Sequence, residues 1–153
     1  RSPDKDFRCL HNLQYWRNKP YFGFGASAHG YVNGVRTVNT LSLHDYLRRM
    51  GNQDGKQHKA EYPGTPATVS METVDKATQM RDFMMLGLRL VQEGVSEKRF
   101  KNLYDVSMQQ VFEEEIDYLV SNQLIEWVDG DGKRLQLTPR GVMVANQVFM
   151  QFV

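Results

Sequence analysis

The 153-residue sequence has a formal net charge of +1, from 19 Lys and Arg against 18 Asp and Glu, so no global field draws it to nucleic acid or to an acidic membrane. Hydrophobic residues make up 41%, enough for one modest core, and a single cysteine, Cys9, excludes a disulfide framework and any metal site built from several cysteines. No apolar run approaches the ~20 residues that span a bilayer and no signal-peptide pattern opens the chain, so a reducing, cytoplasmic setting is expected.

The opening Arg1-Ser2-Pro3-Asp4-Lys5-Asp6 has no initiator methionine and reads as the start of a piece of a longer protein. Residues 1–10 are polar and expected to be irregular. Leu13, Tyr15 and Trp16 begin a short helix or strand that Pro20 ends. Tyr21-Phe22-Gly23-Phe24 is expected to be a short buried strand, followed by glycines that let backbone approach closely. Asn33-Gly34, between Tyr31-Val32 and Val35-Arg36-Thr37-Val38, predicts a two-residue hairpin. Ser42 is placed to cap a helix carrying Leu43, Tyr46, Leu47 and Met50. Residues 51–69, rich in Gly, Pro, Lys, Gln and Thr, read as a linker or mobile loop.

Beyond the linker the pattern is regular. Met80, Phe83, Met84, Gly87, Leu88 and Val91 fall on one face of a helix that Gly94 should end. Ser96 caps a second helix with Phe100, Leu103 and Tyr104. Ser107 caps a third, with Val111, Phe112, Ile116, Leu119 and Val120 inward and Asn122 as its stop. Leu124 to Val128 and Lys133 to Leu137 flank Asp129-Gly130-Asp131-Gly132 and predict a β-hairpin. Thr138-Pro139 then starts a last helix that presents Val142, Ala145, Phe149 and Phe152 on one side. Three helices, a hairpin and a closing helix make a mainly helical, winged-helix-like arrangement over residues 76–153. No internal repeat is present.

A winged helix invites a DNA-binding reading, and the charges oppose it. The helix before the hairpin, the one that would enter the major groove, carries Glu113, Glu114, Glu115 and Asp117, which would meet phosphates spaced about 1.7 Å apart along the duplex axis. Lys133, Arg134 and Arg140 read as a solvated surface.

Chemistry is concentrated in His11-Asn12-Leu13-Gln14-Tyr15-Trp16 and the glycine-rich run after it. Gly23-Phe24-Gly25-Ala26-Ser27-Ala28 has a loose GxGxxA form but lacks the β-α-β setting of a phosphate loop. An imidazole such as His11 or His29 can ligate haem iron, hydrogen-bond a carboxylate or satisfy a buried backbone group. Cys9, two positions before His11, is either a second soft ligand or an inert buried thiol. Tyr15 and Trp16 either stack on a flat macrocycle or belong to the core. His44 and His58 read as surface residues.

The pattern HNxxYW at His11–Trp16, followed by Gly23-Phe24-Gly25 and Ala28-His29-Gly30-Tyr31, resembles the haem-chaperone (HemW-like) branch of the oxygen-independent coproporphyrinogen III oxidase family of radical S-adenosylmethionine proteins. Phe83-Met84-Met85-Leu86-Gly87-Leu88-Arg89-Leu90, Gly94-Val95 and Leu137-Thr138-Pro139-Arg140-Gly141 continue the match in order. The resemblance implies an α+β fold: residues 1–40 as the last strand and edge of a partial (β/α) barrel, 41–75 as a short helix and polar linker, and 76–153 as the C-terminal domain.

It implies haem binding by His11, Asn12, Tyr15 and Trp16, with His11 a ligand to the iron. It also places Gly23, Gly25 and Ala26 on the S-adenosylmethionine side of the barrel. The family's [4Fe-4S] cluster needs three thiolates, which this sequence does not hold, so catalysis by this stretch alone is not expected. The implied function is haem binding and delivery to acceptor proteins in the cytoplasm. Radical decarboxylation of coproporphyrinogen III is the enzymatic alternative, and a protein-binding winged helix a third reading. Unpaired strand edges in residues 1–40 would favour pairing with a second copy.

Overall fold

The structure, a computed structural model, describes residues 8–51, 60–130 and 132–153. It is α+β, with two small three-stranded antiparallel sheets among its described residues. The chain falls into two units: Pro20–Asp75 is one, and the stretch up to Lys19 joins Lys76–Val153 in the other.

In the first unit, β1 (His29–Val32) and β2 (Val35–Asn39) form the expected hairpin. Asn33 and Gly34 have φ of 52° and 76°, the two positive angles of a type I′ turn. A third strand, β3 (Thr68–Thr73), pairs with the other side of β2, giving the order β1-β2-β3. The linker expected over residues 51–69 overlaps this strand, which the sequence pattern does not predict. All but one of the β3 residues are exposed, so no apolar alternation marks them. Residues 52–59, including His58, lie outside the described residues.

Ser42 caps α2 (Leu43–Met50) as expected, its hydroxyl accepting from the Asp45 amide at 3.2 Å. Asp45 in turn holds Arg48 and Arg49, the latter at 2.7 Å. The expected buried strand over residues 21–24 is not formed. Tyr21 makes one isolated bridge to Tyr31, and Phe22 and Phe24 are exposed. The reason is steric: Gly23 faces the His29 backbone so closely that a Cβ would lie 2.4 Å from the His29 carbonyl oxygen. The glycine side of this segment is turned inward and the two phenylalanines are left outside.

The second unit begins with α1 (Leu10–Trp16), a helix closed by Asn18 in the left-handed region. Its one buried residue is Leu13. After α3 (Lys76–Gly87) the backbone changes from i→i−4 bonding to the tighter bonds Arg89 N–H to Leu86 O and Leu90 N–H to Gly87 O. The helix therefore ends seven residues before Gly94, and the turn that replaces it buries both Leu88 and Leu90.

Ser96 caps α4 (Glu97–Tyr104), and Ser107 with Gln110 makes a reciprocal capping box on α5 (Met108–Val111). The expected third helix is broken at Phe112, whose non-helical φ and ψ of −125° and 37° separate α5 from α6 (Glu113–Ser121). The break turns Phe112 into the core. Asn122 stops α6 as expected.

The hairpin β5 (Ile125–Val128) and β6 (Arg134–Leu137) is present. It gains β4 (Val95–Ser96), two residues too short to show a pattern, in the order β4-β6-β5. Thr138 caps α7 (Pro139–Met143), with Pro139 in its first turn. A second break at Val144 precedes α8 (Ala145–Phe149), and a 3-10 turn covers Met150–Phe152.

A row of edge-packed rings forms the core: Phe83 against Phe100 at 5.6 Å, Phe100 against Phe112 at 6.2 Å, and Phe112 against Phe152 at 5.5 Å between centroids. Tyr104 joins them and donates its hydroxyl to the Gln79 carbonyl at 3.1 Å. Leu103, Val120 and Val142, expected to face inward, are exposed. The breaks at Phe112 and Val144 reset the helical phase on which those expectations rested, and Leu103 falls on the outer side of α4.

Candidate functional site

Seven residues of helix carry the HNxxYW element, and the helix divides it into two faces. Leu13 and Arg17, four apart, point to the domain surface. Leu13 is buried, and Arg17 forks onto Glu93 with bonds of 3.0 and 2.5 Å. On the opposite face stand His11 and Tyr15, also four apart and one above the other. The His11 ring meets Tyr15 edge-on at 4.9 Å, and His11 Nε2 lies 3.2 Å from the Tyr15 hydroxyl. His11 and Asn12 are exposed, and Tyr15 and Trp16 half-buried. The structure thus sets His11 and Tyr15 together, with Asn12 beside them, and turns Trp16 toward the domain.

Trp16 lines two neighbouring hollows. One, of about 470 Å³, is an open groove walled by Cys9, Leu13, Trp16, Leu90 and Val91, with Arg8 and Arg89 at its edge. Cys9 is exposed here, so the buried-thiol alternative does not hold. The other, of about 270 Å³, is more polar and is lined by Arg17, Arg99, Arg134 and Glu93 together with Trp16 and Phe83.

Glu93 is the electrostatic hub between them. The Arg17 guanidinium bonded to it holds its carboxyl below the usual range against the opposing effect of burial, with Arg8 and Arg134 adding to the pull. Glu93 was not singled out from sequence, nor were Arg8, Arg17 and Arg99. Arg17 and Glu93 stand 76 positions apart, and no local spacing joins them.

The glycine-rich residues lie in the other unit. Asn39, buried in β2, donates its amide to the carbonyls of Gly23 at 3.1 Å and Gly25 at 3.0 Å. Its own oxygen accepts from Thr65 and Thr68. The Gly25 amide donates to the Tyr46 hydroxyl at 3.2 Å. Gly23, Gly25 and Ala26 are therefore brought into one loop clamped from within. Among the described residues no three His, Cys, Asp or Glu side chains gather as a protein-only metal site. A haem iron asks for less, one or two axial side chains, and the exposed His11 imidazole is of that kind.

Residues 74–144 match the family model described as the HemN C-terminal domain. The match takes in 71 residues, a little under half of the chain. Proteins named heme chaperone HemW are similar over almost the whole chain: that of Lactococcus lactis is 31% identical across 96% of it, and that of Bacillus subtilis 36% identical across 94%. In each case the match spans 34% of the relative, so the chain covers about a third of the length of these proteins.

The fold of this chain is similar to that of coproporphyrinogen III oxidase (HemN) from Escherichia coli, described as a radical SAM enzyme. The TM-score is 0.58 at 18% identity, over 88% of this chain and 28% of that one. The resemblance carried by HNxxYW and the downstream motifs is borne out. No helix among the described residues is long and apolar enough to cross a membrane.

Proposed function

We propose that this chain is the C-terminal part of a cytoplasmic haem chaperone of the radical S-adenosylmethionine class, and that α1 is its haem-binding element. One observation carries the reading. α1 is fixed on its inner face by Leu13 and by the Arg17–Glu93 fork, while its outer face offers His11, exposed and oriented by Tyr15. A ligand on a solvent-facing helix face suits a protein that must pass its cargo on. The relatives named heme chaperone support the same reading.

In this proposal His11 ligates the iron, and Asn12, Tyr15 and Trp16 border the macrocycle. The loop of Gly23, Gly25 and Ala26 serves the S-adenosylmethionine side, as the edge of a barrel. The cluster's thiolates come from beyond this sequence, whose sole cysteine is Cys9. Residues 76–153 act as a winged-helix-like domain that meets protein rather than DNA, because α6 exposes Glu113, Glu114 and Asp117. β1 and β3, the outer strands of their sheet, are where a second copy would pair.

The test is a haem titration followed by absorbance, on the protein containing this chain and on its His11→Ala form. Saturable binding weakened at least tenfold by the substitution is expected. Equal binding by both forms would remove His11 from the site. Turnover of coproporphyrinogen III without haem binding would favour the oxidase reading, which the fold likeness to HemN also accommodates.

A further inference from the structure

The polar hollow of about 270 Å³ presents an imbalance of charge: three guanidinium groups, those of Arg17, Arg99 and Arg134, and one carboxylate, Glu93. The carboxylate is already committed, forked onto Arg17 and reached by Arg8 at 3.4 Å. Arg134 donates to the Glu93 backbone carbonyl at 3.0 Å, and Arg99 donates to the Arg17 carbonyl. Neither Arg99 nor Arg134 has a carboxylate within ion-pair distance among the described residues, and both are half-buried. Arg99 lies over the Phe83 ring at 5.1 Å, a stacking that fixes its plane. Burial, and then the neighbouring Arg17 charge, pull its pKa below the usual guanidinium value. Half-buried charges that lack counter-charges are costly, and guanidinium forks match the geometry of carboxylate and phosphate oxygens.

We propose that the hollow bounded by Arg17, Arg99 and Arg134 is an oxyanion-binding site, taking a carboxylate or phosphate group between the guanidiniums of Arg99 and Arg134. The volume admits a phosphate ion whole, or the acidic end of a larger molecule. This site lies on the inner side of α1 and is independent of the His11 reading.

The experiment is a titration of the ¹⁵N-labelled chain with inorganic phosphate, following the arginine Nε–H and backbone amide resonances. Saturable shifts confined to Arg17, Arg99, Arg134 and the Glu93–Ser96 amides are expected, weakening as salt is raised. In Arg134→Gln the affinity should fall about tenfold while the remaining spectrum shows the fold intact. Glu93→Gln, which removes the competing carboxylate, should tighten binding. No saturable shift, or the same affinity in Arg134→Gln, would overturn the proposal.

Haem and its dimethyl ester serve as competitors to identify the source of the anion. Displacement of phosphate by haem alone would assign the site to a tetrapyrrole's carboxylates. Phosphate undisturbed by either would assign a small free anion. Phosphate binding that persists where haem fails to bind would leave this site standing and remove only the haem reading.

Discussion

A methyl group on Gly141 would lie 1.8 Å from the Leu124 carbonyl oxygen, where only backbone movement can make room. Gly141→Ala should therefore destabilise the protein by about 1–3 kcal/mol or more, read from the urea midpoint. Gly130→Ala, at a position with nothing within 4 Å, should stay within about 0.5 kcal/mol of wild type. Sequence placed Gly141 within a recognisable Thr-Pro-Arg-Gly run, but the strand end it presses against was invisible until the chain folded back.

The same limit applies to His11. Its residue type and spacing to Tyr15 were legible, whereas its exposure depends on which side of α1 meets the domain. Asp45 makes the opposite case, because its partners are local. Hydrogen bonds from Arg48 and then Arg49 lower its pKa to about 2. A carboxylate depressed in the folded state stabilises above its unfolded pKa of about 4 and loses that contribution as pH falls toward 2. Unfolding free energy measured from pH 5 to 2 should accordingly fall less steeply in Asp45→Asn than in wild type.

Helix starts were the most readable features at the level of elements, because a cap is settled within four residues of chain. Ser42, Ser96, Ser107 and Thr138 all cap as expected, each through its side-chain oxygen. Ser107 also belongs to a reciprocal box with Gln110, so Ser107→Ala should cost about 1 kcal/mol in equilibrium unfolding, and Ser107→Thr much less. The acidic cluster of α6 acquires a local cause as well. Glu113, Glu114 and Glu115 fill its first turn, where the helix dipole favours negative charge.

Helix ends and short strands were less readable. α3 stops at Gly87 because the following turn buries Leu88 and Leu90, a decision made by the core and not by the periodicity of residues 80–91. β3 shows almost no apolar residue to the interior, and β4 has two residues in all. Each is a strand by virtue of the neighbour it pairs with.

For the molecule as a whole, sequence conveyed the α+β class and the hairpin of residues 76–153, but not the breaks at Phe112 and Val144, the strand β4 or the company that α1 keeps. The helix bearing His11 belongs to the same unit as residues 76–153, although Pro20–Asp75 intervenes as a unit of its own. Pro20–Asp75 is therefore complete in sequence before the unit that flanks it on both sides. The intervening unit has its hairpin, its third strand and the Asn39 clamp once Asp75 has been made. The unit that holds α1 needs Phe152, fully buried at the end of the aromatic row. At about 5–20 residues per second, the ribosome takes on the order of ten seconds to travel from one point to the other. Until then Leu13 and Trp16, on the side of α1 that meets residues of the 83–95 stretch, lack the finished core behind those residues.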